Sequence, residues 1–182
     1  MISQLLIQIF LLLLPAGFAN MAPVFFKKVN ILNYPVDLGI KYRGYDLFGK
    51  NKTYRGFLFG ILVSIIIVYI QKIIYQVYPS ISKFFIIDYS AINIFLLGFL
   101  LGFGALFGDL IESFFKRRLN IKPGRPWIPF DQIDWILGSL IFVSFYIKIP
   151  LVLFILALLL FAGLHFLIRL IGFKLKINDS KL

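Results

Sequence analysis

The apolar residues of this chain fall in long runs separated by polar stretches. A hydrocarbon core of about 30 Å needs roughly 20 apolar residues per helix, and five runs qualify as candidates. The first covers residues 2–26 and is interrupted by Pro15 and Gly17; the second covers 56–78 and the third 89–111. The fourth, 135–149, is short, and the fifth covers 150–173. The boundary between these last two, IKIP, is tight enough for a helical hairpin. The pattern predicts an all-α, polytopic membrane protein: five transmembrane helices in a single integral membrane domain over residues 1–182. Two polar loops, 27–55 and 112–133, are left outside the apolar runs.

Composition agrees with the pattern. The mean hydropathy is +0.93, there are 22 phenylalanines, and charged residues make up 15%, against about 25% in soluble domains. Cysteine is absent, which excludes disulfides, thiolate metal sites and cysteine nucleophiles. Chemistry must use oxygen and nitrogen groups. A net charge of +11 would suggest nucleic acid in a soluble protein. In a membrane protein it reports cytoplasmic loops and phosphate-bearing partners, so no nucleic-acid partner is expected.

Orientation follows from the lysines and arginines. Loop 27–55 carries seven, loop 112–133 carries five and the tail from Arg169 carries four, leaving Lys72, Lys83 and Lys148 for the other face. This bias predicts an N-terminus outside, with both polar loops and the C-terminal tail in the cytoplasm of the cell-membrane host. The N-terminal MISQLLIQIFLLLLPAGFANMAP has the apolar core and small residues of a signal peptide. It lacks the positive n-region, and cleavage would leave a seven-charge loop outside. The segment therefore reads as a retained first transmembrane helix.

Candidate chemistry is concentrated in GDLIESFFKRRLNIKPGRPWIPFDQIDW, Gly108 to Trp135, which holds four of the eight acids. Asp109 and Glu112 sit three residues apart, on one helical face, at the cytoplasmic end of the third helix. Asp131 and Asp134 repeat the spacing at the start of the fourth. Carboxylates near a spanning helix are costly, so they tend to be paired or functional. If the loop folds back, the two pairs converge into hard oxygen ligands suited to Mg²⁺. An isolated D-x-x-D would read as ordinary helix-end ion pairing; here two pairs bracket a basic run.

That run is Lys116, Arg117, Arg118, Lys122 and Arg125. A topology signal or anionic-lipid anchor explains Arg118 and Arg125. Cations interleaved with acids make a poor lipid patch, and suit triphosphate recognition with a bridging metal better. Pro123, Gly124, Pro126 and Pro129 stiffen the connection. In the first loop, RGYDLFGKNKTYRGF includes GYDLFGKN, a near match to the phosphate-binding GxxxxGK[ST] loop. No strand precedes it and Asn51 replaces the required hydroxyl, so the match is rejected. Lys52-Thr53 is the better phosphate candidate. Gly98, Gly102, Gly104 and Gly108 give GxxxG twice, which predicts close helix packing and a seam that could serve a homodimer. His165 is the single histidine and reads as structural.

These blocks resemble the CDP-archaeol synthase family of integral membrane cytidylyltransferases. The carrying segments are PFDQIDWILG and GDLIESFFKRRLNIKPG, with LPAGFANMAP, YPVDLG and RGYDLFGKNKTYRG upstream in the same order. GDLIESFFKR is also similar to CDP-diacylglycerol synthases. The chain lacks their His-Gly-Gly before the aspartates, has Lys122-Pro123 where Lys-Asp is usual, and has fewer helices. The resemblance implies transfer of CMP from CTP to 2,3-bis-O-(geranylgeranyl)-sn-glycerol 1-phosphate, releasing pyrophosphate. It implies metal binding by Asp109, Asp131 and Asp134 with Glu112 assisting, a catalytic part for Lys116, and phosphate binding by Lys52, Thr53, Lys116, Arg117 and Lys122. Asn20, Pro23 and Asp37 match family blocks without an assignable role. The alternatives are a CDP-diacylglycerol synthase acting on ester-linked phosphatidic acid, and a transporter. A CDP-alcohol phosphotransferase is disfavoured because its D-G-x-x-A-R pattern is absent, and an odd helix count without inverted repeats disfavours most transporters.

Overall fold

The computed structural model describes residues 2–122 and 125–174, with the side chains of His165, Phe166 and residues 168–174 outside that description. The expectations for Pro123, Gly124, the His165 side chain and the basic tail therefore lie outside the described residues. The elements run α1 (Ile2–Phe25), a hairpin of β1 (Lys41–Tyr42) and β2 (Tyr45–Asp46), and α2 (Tyr54–Val77). A 3₁₀ turn at Pro79–Phe84 follows, then α3 (Ile94–Arg118), α4 (Phe130–Ser144) and α5 (Leu151–Lys174). Helices α1, α2 and α3 are long and apolar enough to cross a membrane, and Leu151–Leu164 of α5 is a shorter apolar segment. The chain is a mostly helical, multi-pass membrane protein.

Helix α3 is the centre, with α2 on one side and α4 on the other, α1 crossing α2 and α3, and α5 against α4. Its glycines make this possible. A Cβ on Gly98 or Gly102 would meet the backbone of Ile65 or Ile61 on α2, while one on Gly104 would meet Gly138 and Ser139 of α4. The small residues are thus occupied by helices of the same chain. Between these surfaces lie Leu97, Leu101, Val68, Ile136, Leu140 and Val143, all fully buried.

The prolines of α1 do not interrupt it, contrary to the sequence expectation; the helix runs continuously through Pro15 and Pro23. A proline removes the hydrogen bond to the carbonyl four residues earlier, which frees Leu11 and Ala19. Gln71 of α2 donates from Nε2 to the Leu11 carbonyl at 2.8 Å, and accepts from the Tyr89 hydroxyl at 2.9 Å. The Ala19 carbonyl lies where a Cβ of Gly60 would sit. The neighbouring helix α2 thus supplies a donor to the Leu11 carbonyl, as an apolar environment requires, and packs closely against that of Ala19.

Three helix boundaries differ from expectation in ways that matter. Helix α3 starts at Ile94 rather than 89, because Asn93 caps it by accepting from Phe95 and Leu96 N–H. It then continues past the apolar run to Arg118. Glu112 and Lys116 pair across one turn at 2.9 Å, and three basic residues complement the negative end of the helix. Asn120, at φ 57°, closes it: Ile121 N–H returns to Lys116 and Asn120 N–H to Arg117, a Schellman stop. Helix α4 begins at Phe130, not 135. The segment expected as a loop over 112–133 is therefore helical at both ends. The β-hairpin is a further departure from an all-helical chain; its turn residues Arg43 and Gly44 have φ 53° and 83°, as a type I′ turn requires. Gly44, the start of the rejected phosphate-loop match, makes this turn.

Candidate active site

Asp109 and Glu112 lie one turn apart on α3, and Asp134 lies in the second turn of α4. The helices approach closely here because Gly108 has no side chain, so the main-chain carbonyl of Asp134 occupies the position its Cβ would take. Gly138, one turn on, meets Gly104 and Gly108 in the same way. Asp109, Glu112 and Asp134 consequently each offer a carboxylate oxygen within 4.8 Å of the others. The donor set is all carboxylate oxygen, which fits a hard divalent cation that retains water and phosphate ligands.

Two lysines compensate the acids. Lys116 Nζ lies 2.9 Å from Glu112 Oε1 and 2.6 Å from Asp131 Oδ1, with only 12% of its side chain exposed. Lys52, from the first polar loop, reaches Asp109 Oδ2 at 2.5 Å and is 24% exposed. Asp131 thus shares Lys116 with Glu112 and lies beside that member of the triad, and its Oδ2 accepts from Trp127 N–H at 2.9 Å. Asp134 Oδ1 accepts from Trp135 N–H. Four carboxylates against two lysines leave an excess of two negative charges when all are ionised. One divalent ion would neutralise it.

The other expected phosphate ligands are placed unequally. Thr53 is buried and caps α2, its hydroxyl accepting from Gly56 N–H at 3.2 Å. Arg117 is half-buried, with a buried Nε that has no partner among the described residues. Lys122 is exposed beyond the end of α3. Asn20 is half-buried on α1.

Sequence reasoning left two organising residues without this role. Asp37 is buried, and its carboxylate accepts from Gly39, Phe48 and Gly49 N–H at 2.9–3.0 Å. Burial opposes its ionisation, but these three donors outweigh burial and hold the carboxyl below its ordinary value. The loop so pinned delivers Lys52: Val36 N–H donates to the Lys52 carbonyl at 2.7 Å. Arg118, expected as a topology or lipid-anchoring charge, instead ties this loop to α3. It donates to the carbonyls of Asp46 and Leu47 at 3.0 and 2.9 Å and lies 3.9 Å over the Phe114 ring. The YPVDLG spacing with two following glycines was the available signal for Asp37. No local signal pointed to this role of Arg118, because the loop carbonyls it ties are more than 70 residues away.

An acidic cluster with metal-ligand spacing, set between two helices and covered by a basic loop, marks an integral membrane protein with a candidate divalent-metal centre. The chain belongs to the CarS-like, CDP-archaeol synthase family, whose model matches residues 1–182. A CDP-archaeol synthase of Pyrococcus furiosus is 38% identical over 94% of this chain and 95% of its own. One from Methanocaldococcus jannaschii is 35% identical over 92% of each. A solved structure described as an intramembrane enzyme for archaeal membrane lipid biosynthesis superposes with TM-score 0.68 and 28% identity, covering 88% of this chain and 92% of that one.

Proposed function

We propose that this protein is a CDP-archaeol synthase: it transfers CMP from CTP to an unsaturated archaeal ether-lipid phosphate, 2,3-bis-O-(geranylgeranyl)-sn-glycerol 1-phosphate. The family membership over the whole chain and the carboxylate cluster between α3 and α4 support this reading. A lipid-phosphate oxygen forms a bond to the α-phosphorus of CTP while the bond from that phosphorus to the bridging oxygen breaks, and pyrophosphate leaves. A phosphate monoester is largely dianionic at neutral pH, so the attack needs no side-chain base. This accounts for a site built without histidine, cysteine or serine nucleophiles.

The residues then have to hold mutually repelling phosphates in line and receive the leaving charge. Asp109, Glu112 and Asp134 would hold Mg²⁺, with Asp131 available through a shift from Lys116. Bound there, the ion supplies charge neutralisation of the triphosphate and its leaving group. Lys116 keeps Glu112 and Asp131 oriented and presents a cation to phosphate. Lys52, Arg117 and Lys122 add cationic donors, and Thr53 fixes the start of α2 so that Lys52 is aimed at the site.

In the topology we infer, five helices span the membrane, the N-terminus is outside and the site opens on the cytoplasmic face. The lysine and arginine distribution supports it. A homodimer would have to form through surfaces other than the glycine faces of α3, and mass measurement in detergent micelles tests it. The reaction is tested by incubating membranes with labelled CTP, Mg²⁺ and either ether- or ester-linked lipid phosphate. A labelled CDP-lipid from the ether acceptor is expected. A preference for the ester acceptor would reassign the enzyme to CDP-diacylglycerol synthesis, and no product from either would favour a carrier.

A further inference from the structure

The two lysines of the site are held differently. Lys116 bridges two carboxylates, on its own helix and on α4, and is 12% exposed. Lys52 touches one carboxylate, is 24% exposed, and comes from a separate loop. The backbone of that loop is fixed: Lys52 N–H donates to Gly49, Val36 N–H donates to the Lys52 carbonyl, and Tyr54 N–H donates to Tyr34. Asp37 and Arg118 secure the same loop from either side. What remains free to move is the Lys52 side chain, a point charge on a flexible four-carbon stem.

Lys52 Nζ also sits on Asp109, a member of the triad with ligand spacing. A lysine ammonium and a divalent cation sharing that carboxylate repel each other and compete for its oxygens. A nucleotide phosphate offers the ammonium an alternative anion.

We propose that Lys52 is a built-in counter-ion of the metal site, holding Asp109 until metal and nucleotide bind together and then transferring its contact to a phosphate. This deepens the function proposed above and rests on it. Lys116, doubly held and more buried, stays in place. The arrangement makes metal and nucleotide binding reciprocal: metal alone must displace Lys52 with no compensation, whereas metal with CTP moves it from one anion to another.

The test uses full-length protein in detergent micelles and Mn²⁺ as the probe, titrated without nucleotide and followed by electron paramagnetic resonance. Lys52→Met is expected to bind Mn²⁺ more tightly than wild type, by roughly 5- to 150-fold, the usual range of a coupling between sites, while its affinity for labelled CTP, measured separately by equilibrium dialysis, falls. Lys52→Arg keeps the cation and is expected to keep the weak metal binding. In an Asp109→Asn background, Lys52→Met should no longer tighten Mn²⁺. A variant damaged in its fold would weaken both ligands, so opposite movement of metal and CTP affinity distinguishes the two cases. Unchanged or weaker Mn²⁺ binding by Lys52→Met would overturn the proposal. Because the titration contains neither CTP nor lipid, its outcome is separate from the cytidylyltransferase assay, and either reading can fail alone.

Discussion

Gly108 of α3 lies directly against the main-chain carbonyl of Asp134 on α4, and that contact sets the spacing of the carboxylate triad. A methyl at position 108 would overlap the carbonyl and its carbon, so the helices would have to separate. Overpacking of a close backbone contact costs about 1–3 kcal/mol, and misplacing a reacting group by about 1 Å can cost 10²-fold in rate. Gly108→Ala is therefore expected to lose about 10²-fold in CDP-lipid formation, with a lowered melting temperature in detergent. Gly163→Ala, where a Cβ meets nothing within 4 Å, is the control and should match wild type in both measurements.

The carboxylates are expected to separate from the bulk of the fold in a second experiment. Asp134→Ala and Asp131→Ala should abolish Mg²⁺-dependent turnover while the protein still inserts into membranes at wild-type levels. His165→Ala should keep most of its activity, since the proposed chemistry needs no general base. Wild-type rates in Asp134→Ala would show that the metal is held elsewhere, and wild-type rates in Asp131→Ala that this carboxylate has no part in holding it.

Much of this site was legible because its parts are local. The repeated D-x-x-D spacing placed Asp109 with Glu112 and Asp131 with Asp134 on helix faces, and the structure does bring α3 and α4 together there. The run of glycines foretold close packing without naming its partners, which turned out to be α2 and α4. Helix ends were less legible, because apolar runs mark the thickness of the hydrocarbon and not the extent of the helix. The amphipathic turns Glu112–Arg118 and Phe130–Asp134 continue α3 and α4 beyond it, held by ion pairs and a Schellman stop. The organisation of loop 27–55 was legible only as the YPVDLG block and its following glycines, with no sign of what they hold. Asp37 accepts from backbone N–H groups up to 12 residues away, and Arg118 donates to backbone carbonyls of another segment; backbone partners leave no mark in a sequence.

Asp37 gives that loop a definite pH response. Its carboxyl ionises at lower pH in the folded chain than its ordinary value of 3.8, so folding favours the charged form. The resulting stabilisation is fully present above the unfolded value and drains away as pH falls through the lower folded one. Between pH 5 and 8, Asp37 should contribute no pH dependence. Below pH 3.8, wild type should lose stability relative to Asp37→Asn, whose side chain does not titrate. Asp37→Ala removes the acceptor for three N–H groups, of which that of Gly49 is buried and costs about 1–3 kcal/mol when left unsatisfied. Its expected signature is rapid proteolysis within residues 36–52 and a raised KM for CTP, because Lys52 is no longer held at the site.

The pairing of Gln71 with Pro15 can be checked by making the damage and then repairing it. Pro15 denies the Leu11 carbonyl its helical donor, and Gln71 replaces that donor from the neighbouring helix at 2.8 Å. Gln71→Leu should therefore leave a buried carbonyl unsatisfied and free the Tyr89 hydroxyl, destabilising the protein by about 1–3 kcal/mol. Pro15→Ala returns an N–H to the helix ladder, so Gln71→Leu should cost less in a Pro15→Ala background than in wild type. Thermal unfolding of the four proteins in one detergent closes the double-mutant cycle. A coupling indistinguishable from zero would mean that Gln71 stabilises the fold through Tyr89 rather than through the carbonyl that Pro15 frees.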